Sequence, residues 1–187
     1  MSEPLRCFWA VRIPCFAAIS DLIADLRRFG RTVRTVAPDD LHVTVKFLGS
    51  TPAAGIPDLV NHVRSAVASP SDATLHLRGV GAFPSPRRPN VIWVGFTNSD
   101  WLARIASECE AGCAALGFPP ESRAFRPHLT LARVKGRPPA GLSGWIDGHS
   151  ERPLGSIRAS ALELIQSDLR RTGPHYTTLA RVPLEVE

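Results

Sequence analysis

Apolar residues recur along this chain at two spacings, alternating positions and every third or fourth position, and the change from one to the other marks strands and helices. Leu5 to Ile13 is rich in β-forming residues and is halted by Pro14. Phe16, Ile19, Leu22, Ile23, Leu26 and Phe29 then share one helical face, which ends at Gly30. After a polar turn around Pro38-Asp39-Asp40, His42 to Leu48 reads as a strand. The same order returns later. Val91 to Phe96 is a strand, and Leu102, Ile105, Ala106, Cys109, Cys113 and Leu116 mark a helical face ended by Gly117. A proline-rich turn leads into a strand from His128 to Val134. Trp9 precedes His42 by nearly the interval that separates Trp93 from His128. Two matching strand–helix–strand units point to an internal duplication.

The remaining segments fit around these units. Ile56, Leu59, Val60, Val63 and Val67 form another amphipathic helix, and Thr74 to Val80 reads as a strand. The loop Phe83-Pro84-Ser85-Pro86-Arg87-Arg88-Pro89 is expected to join the lobes, and Pro138 to Pro153 to be irregular. Ile157–Ser167 and Tyr176–Val182 suggest a hairpin turning at Gly173-Pro174. The expected fold is α+β: two pseudo-symmetric lobes from duplicated strand-helix-strand units, with antiparallel-rich sheets lining a central cleft and helices outside. Residues 1–187 are read as a single domain of two intertwined lobes, one carrying residues 42–45 and the other 128–131.

Composition changes this picture little. A chain of 187 residues can build one substantial core, and its 44% apolar and 21% charged residues are ordinary for a globular protein. No apolar run approaches the roughly 20 residues needed to span a bilayer. Met1-Ser2-Glu3-Pro4 lacks the basic start of a secretory signal, so a cytoplasmic location and no membrane partner are expected. The net charge of +5, with Arg far outnumbering Lys, permits an anionic substrate without diagnosing one. Arginines cluster at Arg87-Arg88 and Arg170-Arg171. Cys7, Cys15, Cys109 and Cys113 show neither CxxC nor zinc-finger spacing, and are read as free thiols rather than metal ligands or a disulfide.

The chemistry lies in a repeated phrase. His42-Val43-Thr44-Val45 and His128-Leu129-Thr130-Leu131 both read His-apolar-Thr-apolar, each at the end of one unit. On a strand, His and Thr share one face and the apolar pair the other. Two imidazoles, which titrate near ~6.5, can supply the base and the acid that a displacement at phosphorus needs near neutral pH. Two hydroxyls can stabilise the charge that builds on the non-bridging oxygens. Nothing in that scheme requires a metal or a cofactor. A single His-x-Thr is usually just a polar strand face; two copies closing equivalent units are hard to explain by packing.

These motifs resemble the paired H-x-T-x signatures of the two-histidine (2H) phosphoesterase superfamily. Further segments resemble its RNA 2',3'-cyclic phosphodiesterase branch, also called 2'-5' RNA ligase: Phe8-Trp9-Ala10, Leu41 to Gly49, Gly81-Ala82-Phe83-Pro84, Phe125 to Arg133, and Ser167-Asp168-Leu169 through Tyr176. The resemblance covers almost the whole chain. It implies opening of RNA 2',3'-cyclic phosphate ends to 2'-phosphomonoesters, with His42 as proton donor to the departing 3' oxygen and His128 as proton acceptor from water. Thr44 and Thr130 would hold phosphoryl oxygens. Run backwards with an RNA 5'-hydroxyl, the site would make a 2'-5' linkage. The implied partner is RNA with a 2',3'-cyclic phosphate end, tRNA fragments among them, acted on by a monomer.

Arg126, Lys46 and Arg133 are the further substrate-binding candidates. Arg126 and Lys46 share strand parity with their motif histidines, although Pro127 disturbs the first and a solvated strand-end lysine would explain the second. Arg133 points away by parity, which favours a structural ion pair, whereas the family's recurring Arg there favours the site. Arg87 and Arg88 stand as contacts to an RNA backbone or as a solvated basic loop. His62, His76, His149 and His175 lack a matching partner. Two other readings remain open: a relative acting on small cyclic nucleotides, ADP-ribose cyclic phosphate or 2'-5' oligoadenylates, and a non-catalytic RNA-binding module.

Overall fold

The computed structural model describes residues 3–68, 72–170 and 173–184. The first unit is β1 (Leu5–Arg12), α1 (Ala17–Arg27), a short strand β2 (Val33–Thr35) and β3 (His42–Thr51). Next come α2 (Ile56–Ala66) and the long hairpin of β4 (Thr74–Ser85) and β5 (Arg88–Phe96). The second unit continues with α3 (Asp100–Ala114) and β6 (Leu129–Val134). The chain closes with α4 (Leu142–Gly148), β7 (Pro153–Arg158), β8 (Ala161–Arg170) and β9 (Gly173–Pro183).

Two antiparallel sheets organise these elements. One runs β3-β1-β8-β9 and the other β2-β6-β5-β4-β7. Each motif strand therefore pairs with the first strand of its own unit, β3 with β1 and β6 with β5. The helices pack across the two sheets. α1, which follows β1 of the first sheet and leads into β2 of the second, packs against β2, β6 and β7. α3, which connects β5 to β6, packs against β3 of the first sheet. Burial explains the attraction: Ile19, Leu22, Ile23 and Leu26 of α1 are at most 2% exposed, and each such side chain contributes about 1.5–3 kcal/mol of burial. Gly30, at φ +87°, lets the chain leave α1 in a left-handed turn and enter β2.

Five expectations are corrected. The Phe83–Pro89 segment joins no lobes; it is the tip of the β4–β5 hairpin, inside one sheet, with the turn at Pro86-Arg87. Within Pro138–Pro153 lies α4, whose Leu142 and Ile146 are buried despite Gly144 and Gly148 in so short a helix. The apolar run beginning at Ile157 is broken at Ala159-Ser160, where the chain leaves β7 in the second sheet for β8 in the first. Trp9 and Trp93 are not counterparts either. Trp9 opposes Lys46 on the core side of its sheet, whereas Trp93 opposes Thr130. The β8–β9 hairpin forms, but Gly173 and Pro174 do not turn it: they open β9, paired with Arg170 and Leu169, and residues 171–172 lie outside the described residues. Cys7, Cys109 and Cys113 are buried free thiols and Cys15 is partly exposed.

Candidate active site

Both motif strands are bulged at the same place. Opposite β1, Ala10 faces Thr44 and Trp9 faces Lys46, so Val45 is an extra residue. Opposite β5, Trp93 faces Thr130 and Ile92 faces Ala132, so Leu131 is the extra residue. A bulge of this kind reverses the inward–outward alternation beyond it. Two parity expectations fall with it. Lys46 turns to the core side, where it is 1% exposed, while Phe47 comes round to the side of Phe8 and lies open to solvent. Arg133, opposite Val91, shares a face with Thr130 rather than pointing away, and its positive charge acts on His42.

The histidines are held alike. His42 Nδ1–H donates to the Asp40 carbonyl at 2.6 Å, and His128 Nδ1–H to the Arg126 carbonyl at 2.7 Å. A carbonyl can only accept, so Nδ1 carries the proton in both rings and Nε2 is left for a ligand. His42 lies 5.1 Å from the Phe8 ring and 5.3 Å from the Tyr176 ring, centroid to centroid. His128 meets the Phe83 ring edge-on at 5.1 Å. Phe83 in turn leans on Trp93, whose indole lies over Gly81. A Cβ on Gly81 would run into the Trp93 ring, so glycine gives the indole its room.

The surroundings of His42 set its titration. Burial is the main reason His42 is held below its ordinary 6.5; the Asp40 hydrogen bond opposes the shift, and the Arg12 and Arg133 charges add to it. Arg12 stands opposite His42 in the sheet. It donates from Nη1 to the Asp39 carbonyl at 2.6 Å and from Nε to Glu163 at 3.3 Å. Glu163, 4% exposed, also meets Arg181 and accepts from the Thr178 hydroxyl. The buried carboxylate thus fixes Arg12, which clasps the turn carrying Asp40 and, through it, His42. Burial raises the Tyr176 hydroxyl above its ordinary 10.0. None of Arg12, Glu163, Phe8, Phe83 and Tyr176 was expected as a site residue from sequence. The available signal was the even positions of β1, where Phe8, Ala10 and Arg12 align.

Between the sheets opens a cavity of about 1320 Å³. Thr44 and Phe47 of β3, Phe83, Val91 and His128 line it, with Glu110 of α3 and the 120–126 segment opposite. It therefore brings Thr44 of the first motif and His128 of the second to one space, while His42, Thr130 and Arg133 are not among the residues that line it. Arg126 reaches the cavity from a non-strand segment, and Lys46, although almost wholly buried, is also among its lining residues. His62 donates to the Asp58 carbonyl on its own helix and His149 to that of Trp145, while His76 and His175 are exposed. Arg87 and Arg88 are exposed at the hairpin tip. Among the described residues, no three His, Cys, Asp or Glu side chains converge as a metal set, and no helix is long and apolar enough to cross a membrane.

The sequence profile of the 2'-5' RNA ligase superfamily matches residues 16–178. The chain belongs to that superfamily. An RNA 2',3'-cyclic phosphodiesterase of Aeropyrum pernix is 39% identical over 158 residues, 82% of this chain and 87% of the relative. The crystal structure of TT0787 of Thermus thermophilus superposes with a TM-score of 0.81 at 29% identity, covering 96% of this chain and 98% of that one. The structure of E. coli LigT complexed with 3'-AMP has a TM-score of 0.72 at 28% identity, covering 97% and 99%.

Proposed function

We propose that this protein hydrolyses the 2',3'-cyclic phosphate at an RNA end to a 2'-phosphomonoester, by paired-histidine acid–base catalysis and without a metal. The observation that carries the reading is the matched tether of the two rings, which leaves both Nε2 atoms free for one substrate. Water attacks phosphorus while His128 Nε2 takes its proton. The P–O3' bond breaks, and His42 Nε2–H delivers a proton to O3'. Thr44 and Thr130 hydroxyls donate to the non-bridging oxygens as charge builds there; Arg133, on the face of Thr130, serves the phosphate, and Arg126, which lines the cavity, its flanking backbone. With a neighbouring 5'-hydroxyl as nucleophile in place of water, the same step forms a 2'-5' linkage: His128 takes the hydroxyl proton, the P–O3' bond breaks and O3' receives its proton from His42. Family membership and the likeness to named RNA 2',3'-cyclic phosphodiesterases support the substrate class.

The deciding experiment is turnover of a cyclic-ended oligonucleotide in EDTA. Full activity with a 2'-phosphate product is expected, and loss of activity on chelation would overturn the metal-free mechanism. Comparison with 2',3'-cyclic mononucleotides separates an RNA enzyme from one preferring small cyclic nucleotides. One observation favours a second reading of the roles. His42 below its ordinary value is mostly neutral near pH 7, as a base should be in the free protein. Binding the anionic phosphate raises it and restores the donor role. If His42 is the donor, the residual activity of His42→Ala loses the alkaline limb of the pH profile; loss of the acid limb exchanges the roles.

A further inference from the structure

Lys46 and Lys135 are the lysines of this arginine-rich chain, and the first is buried to 1% exposure. The bulge at Val45 turns it off the catalytic face. Its Nζ donates to Glu110 Oε1 at 2.9 Å and to the Pro119 carbonyl at 2.9 Å. The same carboxylate oxygen accepts the Glu121 backbone N–H at 3.0 Å. At its start the segment is tied by the Phe118 N–H to the Cys113 carbonyl, and at its end by the Arg126 carbonyl to His128. Among the described residues, every hydrogen bond holding the stretch between those ends runs through Lys46 and Glu110. That stretch is a wall of the cavity and presents Arg123 and Arg126 to it. Neither guanidinium has an ion-pair partner among the described residues.

We propose that Lys46 is a positioning residue for substrate binding: its buried ammonium pins the 119–126 wall to β3 and so aims Arg123 and Arg126 at the RNA backbone. Lysine suits the task because one compact charge reaches a carboxylate and a carbonyl together, which the planar guanidinium fork of arginine does less readily. The proposal rests on the RNA-end reading above. It concerns the hold on the strand, not the proton transfers, because neither His nor Thr of the motifs touches the Lys46–Glu110 pair.

The test is steady-state kinetics of Lys46→Met on a cyclic-ended oligonucleotide. KM should rise about tenfold or more, with kcat within roughly twofold, the pattern of lost uniform binding. Glu110→Gln, which keeps the oxygen acceptor, should shift KM the same way by less, and it decides the matter if Lys46→Met fails to fold. Tryptic cleavage after Arg123 should accelerate in both variants; Arg126 precedes Pro127 and resists the protease. Unchanged KM, or kcat falling at constant KM, overturns the proposal. If the wild type does not turn over the oligonucleotide, the functional reading fails by itself, and the anchoring is judged on Arg123 cleavage, where an unchanged rate sinks it.

Discussion

The two motif histidines have the same sequence context, the same Nδ1 tether and the same bulge three residues on, yet they occupy different surroundings. His42 is walled by Phe8 and Tyr176 and lies near Arg12 and Arg133, and its titration is depressed, burial first. His128 meets one ring edge, that of Phe83, and opens on the cavity. Duplication supplied two equal parts, and their neighbours made them unequal. Acid–base catalysis needs one imidazole to give a proton while the other takes one, and different surroundings are what allow two like residues to take different roles.

Breaking either half should have the largest effect. His42→Ala and His128→Ala are each expected to lower kcat by on the order of 10²–10⁴, measured on a cyclic-ended oligonucleotide; near-wild-type turnover by either variant would remove that ring from the reaction. Thr44→Val and Thr130→Val come next, at about 10²–10³ in kcat if each hydroxyl faces the developing charge. An effect confined to KM would mean ground-state contacts only. Gly81→Ala probes the His128 side through the Trp93 and Phe83 rings, and a moderate loss of kcat is expected. If activity and the Trp93 fluorescence both stay as in the wild type, that chain of contacts does not support His128.

The inequality itself can be erased. Tyr176→Ala opens one wall of His42 to water, so its titration should move up toward 6.5; NMR titration would show this, and an unmoved His42 resonance would locate the cause elsewhere. The smallest effect is on stability. The folded-state value of His42 is depressed, so the unfolded chain binds a proton more readily. Its contribution is therefore complete above 6.5 and lost as pH falls toward the folded value. His42→Phe should flatten the fall in urea midpoint between about pH 8 and about pH 5; an unchanged slope would assign that fall to other groups.

Much of this was legible in advance. β1, α1, β3, α2, β5, α3 and β6 follow from strong periodicity, because each buries a regular apolar stripe. Less regular pieces escaped: β2 has three residues, α4 carries two glycines, and the run at Ile157 changes sheets within two residues. Lys46 and Arg133 were misread for one reason. Parity arguments assume an unbroken pleat, and a bulge shows only against the partner strand's register.

The repeated His-x-Thr, its place at the end of two like units and the apolar residues beside it were properties of the sequence alone, since alternation and spacing are local. Those residues named a reaction class before any coordinates. Tertiary structure decided what depends on non-local neighbours: the packing of helices across the two sheets, the bulges that brought Arg133 in and sent Lys46 inward, and the rings of Phe8, Tyr176 and Phe83 set around the two histidines. It also depressed the titration of His42, because a pKa follows burial and charges contributed by β1, β6 and β9, segments far apart in the chain.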